Sequence, residues 1–230
     1  MSNLNFNDDN SPIVLSVDTS SLCAGFALAR GQSLIASFNG DASTPHSRTF
    51  FLQINELLKI AGIDLSQVEL LAAATGPGSF TGLRVGLAAM KGLAHSLNKP
   101  AIGVNSIDAL ALSTKVIGDV LVFIEAGRSE VYSGVRRVSQ NGRIQPVGID
   151  RVGTLTSVLS SDLAQQVLTV VGNIPQEVLV ELPNWQVCLP SITIAEEVAL
   201  RALSFFQSRT DCDLRPHYVR PSDAEIKRKD

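Results

Sequence analysis

Between Glu69 and Val104 the chain reads ELLAAATGPGSFTGLRVGLAAMKGLAHSLNKPAIGV, and no other stretch narrows the fold as much. It predicts a short apolar strand over Glu69–Thr75, a loop over Gly76–Thr81, a helix over Gly82–Leu97 and a second strand over Pro100–Val104. A strand, a crossover helix and a strand make the two strands parallel. The class is therefore α/β.

Upstream, IVLSVDTSSLCAGFALARGQSLIASFNG predicts a three-strand meander, Ile13–Val17, Ala24–Ala29 and Leu34–Phe38, punctuated by DTSS and RGQS. From His46, the residues Phe50, Ile54, Leu57, Leu58 and Ala61 recur at helical spacing, opposite Gln53, Asn55, Glu56 and Lys59, and Gly62 ends the helix. The pattern then restarts. After a helix over Ser106–Ser113 come strands Val120–Glu125 and Glu130–Val138 joined by AGRS, and a third around Ile144–Val147 after QNGR. A helix over Leu155–Leu159, strands Val167–Gly172 and Trp185–Leu189, and a helix over Ile194–Phe206 complete it. The apolar residues of that last helix are Ala195, Val198, Ala199, Ala202, Leu203 and Phe206. Two halves that each open on a meander predict a duplicated α/β unit: a frayed start over 1–12, one domain over 13–108, a second over 109–213 and a tail over 214–230 with basic Lys227–Lys229.

Composition supports a folded core and excludes several functions. Apolar residues are 45% of the 230 and charged residues 18%, enough to order a chain without disulfides. The net charge of −3 lacks the basic excess of a stand-alone nucleic-acid binder. Cys23, Cys188 and Cys212 are odd in number and far apart, which suits a reducing cytoplasm and no zinc site. The first residues are polar and acidic, unlike a signal peptide, and no run is apolar enough to span a membrane.

The loop Gly76, Gly78, Ser79, Phe80, Thr81, Gly82 stands where a phosphate loop would, before a helix N-terminus. It misses both common motifs: Leu83 and Arg84 follow Gly82 where a P-loop needs lysine, and Thr81 replaces the third glycine of a dinucleotide fingerprint. Its expected role is structural, a tight turn and close packing with Ser79 or Thr81 as the helix N-cap. Two further turns carry candidates for nucleotide binding. Asp18, Thr19 and Ser20 of VDTSS sit where actin-like phosphotransferases cup phosphates, although an Asx or Ser/Thr turn is the commoner use of such residues. Glu125 and Gly127 of IEAGRS hold the matching turn of the second half, with Arg128 a solvated turn residue. Gly172, followed by Asn173, offers one glycine where an adenosine bed would need two. His46, His95 and His217 are scattered and form no metal-ligand pair, so no metal is expected.

The helix after the loop is unusual. Arg84, Lys91, His95 and Asn98 share one narrow face, and nearly everything else is apolar or small. Such a helix is either sandwiched in a core or covered by a partner chain. The expected partner surface is Phe50, Phe51, Ile54 and Leu58 from the first helix with Arg84, Val85, Gly86, Ala89, Met90 and Leu93 from the second.

Taken together, VLSVDTSS, ATGPGSFTGLRVGLAAMKGLAHSLNKPAIGVNS, IEAGRSEVYSG and, more faintly, PHYVR resemble the TsaB (YeaZ) family of bacteria over most of the first 135 residues. The resemblance implies an actin-like (ASKHA) duplicated two-domain fold, with mixed sheets flanked by helices. It also implies a non-catalytic, cytoplasmic subunit that binds TsaD through its N-terminal-domain helices. That complex places threonylcarbamoyl on the transfer-RNA adenosine beside the anticodon. TsaE would join the larger complex, the chain alone would pair with a second copy, and transfer RNA would be met only through the complex. TsaD-type sequences follow the corresponding strand with V-N-H-x-E-G-H, whose histidines hold a metal; here VNSIDAL puts Ser106 and Leu110 at those positions. No metal or cofactor is therefore expected. The alternative is an actin-like ATP-binding phospho- or acyltransferase working alone through Asp18–Ser20.

Overall fold

The computed structural model describes residues 11–40, 46–161, 167, 169–172, 185–207 and 213–220. Most of the expected frayed start, Lys227–Lys229, Asn173, Cys212 and the side chain of His46 lie outside the described residues.

The first half builds a five-stranded sheet from β1 (Ile13–Asp18), β2 (Gly25–Arg30), β3 (Ser33–Asn39), β4 (Val68–Ala74) and β5 (Ala101–Val104), in the order β3-β2-β1-β4-β5. The meander strands pair antiparallel, whereas β1–β4 and β4–β5 are parallel, as the crossover requires. Two helices join it, α1 (His46–Ala61) and α2 (Phe80–Leu97). Helix α3 (Ser106–Ser113) closes the first half, and the second half follows with β6 (Gly118–Gly127), β7 (Glu130–Val138), β8 (Ile144–Thr154), α4 (Leu155–Leu159), β9 (Thr169–Gly172), β10 (Gln186–Cys188) and α5 (Ile194–Gln207). Its sheet runs β10-β9-β6-β7-β8. Here β6, β7 and β8 form the antiparallel meander while β6, β9 and β10 pair in parallel. The two sheets thus share one topology, which is the duplication expected from the repeated meander.

Strand β1 shows why the first sheet is buried on both sides. Ile13, Leu15 and Val17 pack with Phe26 and Leu28 under Phe50, Ile54, Leu57 and Leu58 of α1 and Leu83, Leu87, Met90 and Ala94 of α2. Val14, Ala27, Ala29, Leu70, Ala72 and Ala74 face the other way, onto Ala195, Val198, Ala199, Ala202 and Leu203 of α5. The alternation is the two-residue period of a strand written twice in apolar letters. The alanine-rich second face brings α5 close, and Ser16, polar in an apolar strand, donates to the Ala195 carbonyl at 2.6 Å. A capping box starts α5: Thr193 Oγ1 accepts from the Glu196 N–H at 3.2 Å and Glu196 accepts from the Thr193 N–H at 2.6 Å.

Chain order and packing part company at the last helix of each half. Helix α3 lays Ile107, Leu110, Ala111 and Leu112 against Val120, Val122, Val138 and Val171 of the second sheet. Helix α5, placed by chain order in a domain over 109–213, instead covers the first sheet. The two helices also touch each other. Each half therefore lends its last helix to the other, and the lobes interlock.

Smaller differences have local causes. Helix α2 starts at Phe80, two residues before the expected Gly82, because Ser79 is its N-cap and accepts the Gly82 N–H at 3.2 Å. Strand β8 runs to Thr154, past a register shift opposite Ser133–Val135 and past Gly148 at φ +82°, which hid its continuity. Phe206 is exposed, unlike Ala195, Val198, Ala199, Ala202 and Leu203 on the same helix.

Candidate functional site: a cleft between the lobes

The glycines of the loop and of α2 lie against the turn after β1. A Cβ on Gly78 would stand 2.4 Å from the Ser20 carbonyl oxygen, one on Gly82 2.2 Å from the Thr19 carbonyl oxygen, and one on Gly86 2.2 Å from Thr19 Oγ1. These three positions form one stripe that lets the D-T-S turn sit directly on the helix. The Ser79 N–H donates to the Ser20 carbonyl at 2.7 Å, and the Ser20 N–H donates to Asp18 Oδ1 at 2.9 Å. Asp18, Thr19 and Ser20 are all buried, and Ser20 Oγ finds no partner among the described residues. Helix α2 therefore packs directly on this turn.

The open space lies one step away. A cavity of about 520 Å³ is lined from four directions. Phe80, Thr81 and Arg84 come from the start of α2; Ala126, Gly127 and Arg128 from the end of β6 and the turn after it; Tyr132 from β7; and His217, Tyr218 and Arg220 from the C-terminal segment. Of the five nucleotide-binding candidates only Gly127 reaches it, and Glu125 is exposed outside it. Arg128 and Ser129 hold positive φ values of 58° and 60°, which makes AGRS a tight hairpin turn.

The C-terminal segment ties both lobes at this cleft. Leu214 is buried in the core of the first lobe, and the His217 N–H donates to the Thr75 carbonyl at 2.7 Å. Tyr218 stacks on Phe80 with ring centroids 5.0 Å apart, and its hydroxyl accepts from Arg84 Nε at 3.0 Å. The Arg84 guanidinium also lies 3.8 Å from the centre of the Phe80 ring. On the second lobe, Arg220 pairs with Glu130, and His217 Nε2 lies 3.2 Å from Asp150 Oδ2. Asp150 in turn takes a two-pronged contact from Arg136, Nη1 to Oδ1 at 2.7 Å and Nη2 to Oδ2 at 2.9 Å, while Arg136 Nε pairs with Asp108 of α3. Burial pushes the Asp150 carboxyl up, but hydrogen bonds from His217 and Arg136 and their charges outweigh it and hold it at about 2. Burial pulls Arg136 down, and the hydrogen bonds and charges of Asp150 and Asp108 more than reverse it.

The metal-ligand positions are put to other uses. Ser106 Oγ accepts the Gly76 N–H at 3.1 Å in the interior, and Leu110 packs in the α3 core. Among the described residues no group of three or more His, Cys, Asp or Glu side chains could hold a metal ion.

The expected partner surface divides. Phe50, Ile54, Leu58 and Met90 are core residues, and Gly86 is spent on Thr19, so these five are corrected from surface to interior. The helical period identified the apolar face correctly, but that face turns toward β1 and β2. Arg84 belongs to the cleft. What remains outward is Phe51, 59% exposed, with Val85, Ala89 and Leu93 half-buried. Leu52 and Ile60, which the periodicity did not single out, are 64% and 73% exposed on α1. An open groove of about 590 Å³ runs between the C-terminal part of α1 and α2, lined by Phe51, Leu58, Ile63, Leu65 and Leu93. Tyr132 lies in the IEAGRSEVYSG stretch and Tyr218 and Arg220 in PHYVR, but nothing in either stretch joins them, because the contacts that assemble the cleft span 90 residues or more.

Comparison with known proteins agrees with this architecture. The family model of TsaD, tRNA N6-adenosine threonylcarbamoyltransferase, matches residues 37–168, more than half of the chain. The chain is 31% identical over 139 residues to a Bacillus subtilis tRNA threonylcarbamoyladenosine biosynthesis protein TsaB, covering 60% of each. It is 35% identical over 123 residues to the Haemophilus influenzae TsaB, covering 52% of this chain and 51% of that one. The chain thus spans between half and three fifths of the length of these curated relatives. Among solved structures, YeaZ from Pseudomonas aeruginosa superposes with a TM-score of 0.70 at 26% identity, over 90% of this chain and 99% of that one. Component A of (R)-2-hydroxyglutaryl-CoA dehydratase from Acidaminococcus fermentans shares the fold alone, with a TM-score of 0.51 at 11% identity over 84% of this chain and 98% of that one. With the duplicated sheets, the G-P-G-S-F-T-G-L-R loop and the family model in agreement, this actin-like α/β chain belongs to the TsaD-related proteins, in the TsaB (YeaZ) family.

Proposed function

We propose that the chain is an accessory, non-catalytic subunit that docks on a TsaD-type partner and supports transfer of threonylcarbamoyl to the transfer-RNA adenosine beside the anticodon. The observation that carries this reading is the outward apolar surface of α1 and α2. Phe51 lines the groove that reaches Leu93, and Leu52 and Ile60 of the same helix are exposed as well, where a stable isolated chain would place polar side chains. The relatives' name, a tRNA threonylcarbamoyladenosine biosynthesis protein, supplies the pathway. The buried Asp18–Ser20 turn and the replacement of metal-binding histidines by Ser106 and Leu110 support assigning the chemistry to the partner. In this reading TsaE belongs to the larger complex, the same surface pairs two copies when the partner is absent, transfer RNA is met through the complex, and the setting is cytoplasmic.

Phe51→Arg and Ala89→Arg are expected to abolish co-purification with TsaD while leaving the circular dichroism spectrum unchanged. Gly86→Arg is unsuitable, because it would strike Thr19 and unfold the turn. Reconstitution of the modified base from TsaC, TsaD and TsaE should stall without this chain. Full modification in its absence, or unaltered binding by both variants, would overturn the proposal.

A further inference from the structure

The groove between α1 and α2 lies at one end of the first lobe, and the chain enters the fold at that same end. Ile13, the first residue of β1, pairs with Val68 at the start of β4. It belongs to the same apolar cluster as Leu58, Ile63, Leu65 and Leu93, four residues that line the groove. Ser11 is buried beside the β2–β3 turn, where a Cβ added to Gly31 would stand 3.0 Å from the Ser11 Oγ. Everything before Ser11 therefore departs from a fixed point at the groove end of the sheet. That segment reads MSNLNFNDDN, polar except for Met1, Leu4 and Phe6. Leu4 and Phe6 are two apart and flanked by Asn3, Asn5 and Asn7, so an extended backbone puts both large apolar side chains on one face and the asparagines on the other. A solvated leader has no use for that alternation. From Ser11 an extended chain covers about 17 Å to Phe6 and about 24 Å to Leu4, at roughly 3.4 Å per residue. The groove, with about 590 Å³ of space, has room for both side chains, and Lys59 among its lining residues suits Asp8 and Asp9.

We propose that residues 1–10 lie in this groove as an intramolecular cover, with Leu4 and Phe6 as its anchors, and that the cover must leave before a partner can dock there. The seat concerns the isolated chain, whereas the competition rests on the docking reading given above. A tether this short holds the arm at an effective concentration on the order of millimolar, so contacts too weak to hold a free peptide suffice. The arm shields apolar surface at Phe51 and Leu93 while no partner is present. The partner, or a second copy of the chain, then displaces it by making more contacts.

Nuclear magnetic resonance of the full chain, labelled at Ile, Leu and Val methyls and at Phe rings, tests the seat without any substitution. Overhauser contacts from the Phe6 ring and the Leu4 methyls to Ile63, Leu65 and Leu93 are expected. The double variant Leu4→Asn, Phe6→Asn should shift the methyl signals of those three groove residues and leave Val171, in the second lobe, where it is. A mixture of labelled and unlabelled chains separates contacts within one molecule from contacts between two. Contacts found only between molecules mean that a second copy fills the groove, and they overturn the proposal, as does their absence. Calorimetric titration with TsaD should show affinity at least about twofold higher for the double variant, because a larger fraction of the chain is then competent to dock; equal or lower affinity overturns the competition. If neither chain binds TsaD while the contacts within one molecule are present, the docking reading fails and the seat stands. If both bind TsaD equally and the contacts are missing, the cover fails and the docking reading stands.

Discussion

Gly82 shows how much a single missing methyl can decide. Its backbone passes so near Thr19 that any side chain must push the D-T-S turn away, and the obstructing atom is a carbonyl oxygen, which cannot rotate aside. Gly82→Ala is therefore expected to cost about 1–3 kcal/mol, the usual range for forcing atoms into a packed interior, read as a lower denaturation midpoint in urea. The same substitution at Gly92, where a Cβ meets nothing within 4 Å, should be neutral or slightly stabilising, because alanine is the better helix former. The sequence displayed all of these glycines alike. Only their neighbours, some sixty residues earlier in the chain, separate the obligatory from the dispensable.

At the scale of the element, α5 joins the two halves and carries an awkward charge. Glu197 is buried on it, and burial raises its carboxyl despite the Arg201 guanidinium 3.5 Å away, one turn on. A carboxyl raised in the folded state binds its proton more tightly there than in the unfolded chain, so stability falls as pH rises from the ordinary glutamate value through the raised one. Glu197→Gln should flatten that part of the stability-against-pH curve, measured by urea unfolding at a series of pH values; an unchanged slope would assign it to another group. Capping chemistry is local: Ser79, one of the two N-cap candidates offered by the sequence, starts α2, and Thr193 with Glu196, a pair that the sequence reading did not single out, starts α5. Ser79→Ala should cost about 1 kcal/mol, the typical loss of an N-cap oxygen, again read from the urea midpoint.

Across the whole molecule, the Asp108–Arg136–Asp150–His217 chain links α3, β7, β8 and the C-terminal segment, while Tyr218 and the His217 backbone reach the first lobe. Asp150 is the acid-sensitive member. Its carboxyl is depressed to about 2 in the fold, so its contribution is complete above the unfolded aspartate value and is lost as pH falls toward 2. The depression corresponds to about 2 kcal/mol, at 1.36 kcal/mol per pH unit. Asp150→Asn should remove that much stability at neutral pH and converge with the wild type near pH 2, and in doing so loosen the segment that carries Tyr218 into the cleft. Convergence absent at low pH would mean the loss comes from packing instead.

The sequence by itself determined the inventory: which segments are strands and which are helices, that the meander is repeated, that the loop before α2 is not a P-loop, and which family the chain resembles. These follow from spacing within a few residues, where the 3.6- and 2-residue periods and capping chemistry act. Only the tertiary structure decided that α3 and α5 trade sheets, that Phe50, Ile54, Leu58 and Met90 face inward, and that Arg84, Tyr132, Tyr218 and Arg220 meet across a cleft. A periodic pattern states that a helix has an apolar face but not what that face meets. The Arg84–Tyr218 contact joins residues 134 positions apart. No local rule connects two such residues; the interlocked packing of the two lobes does.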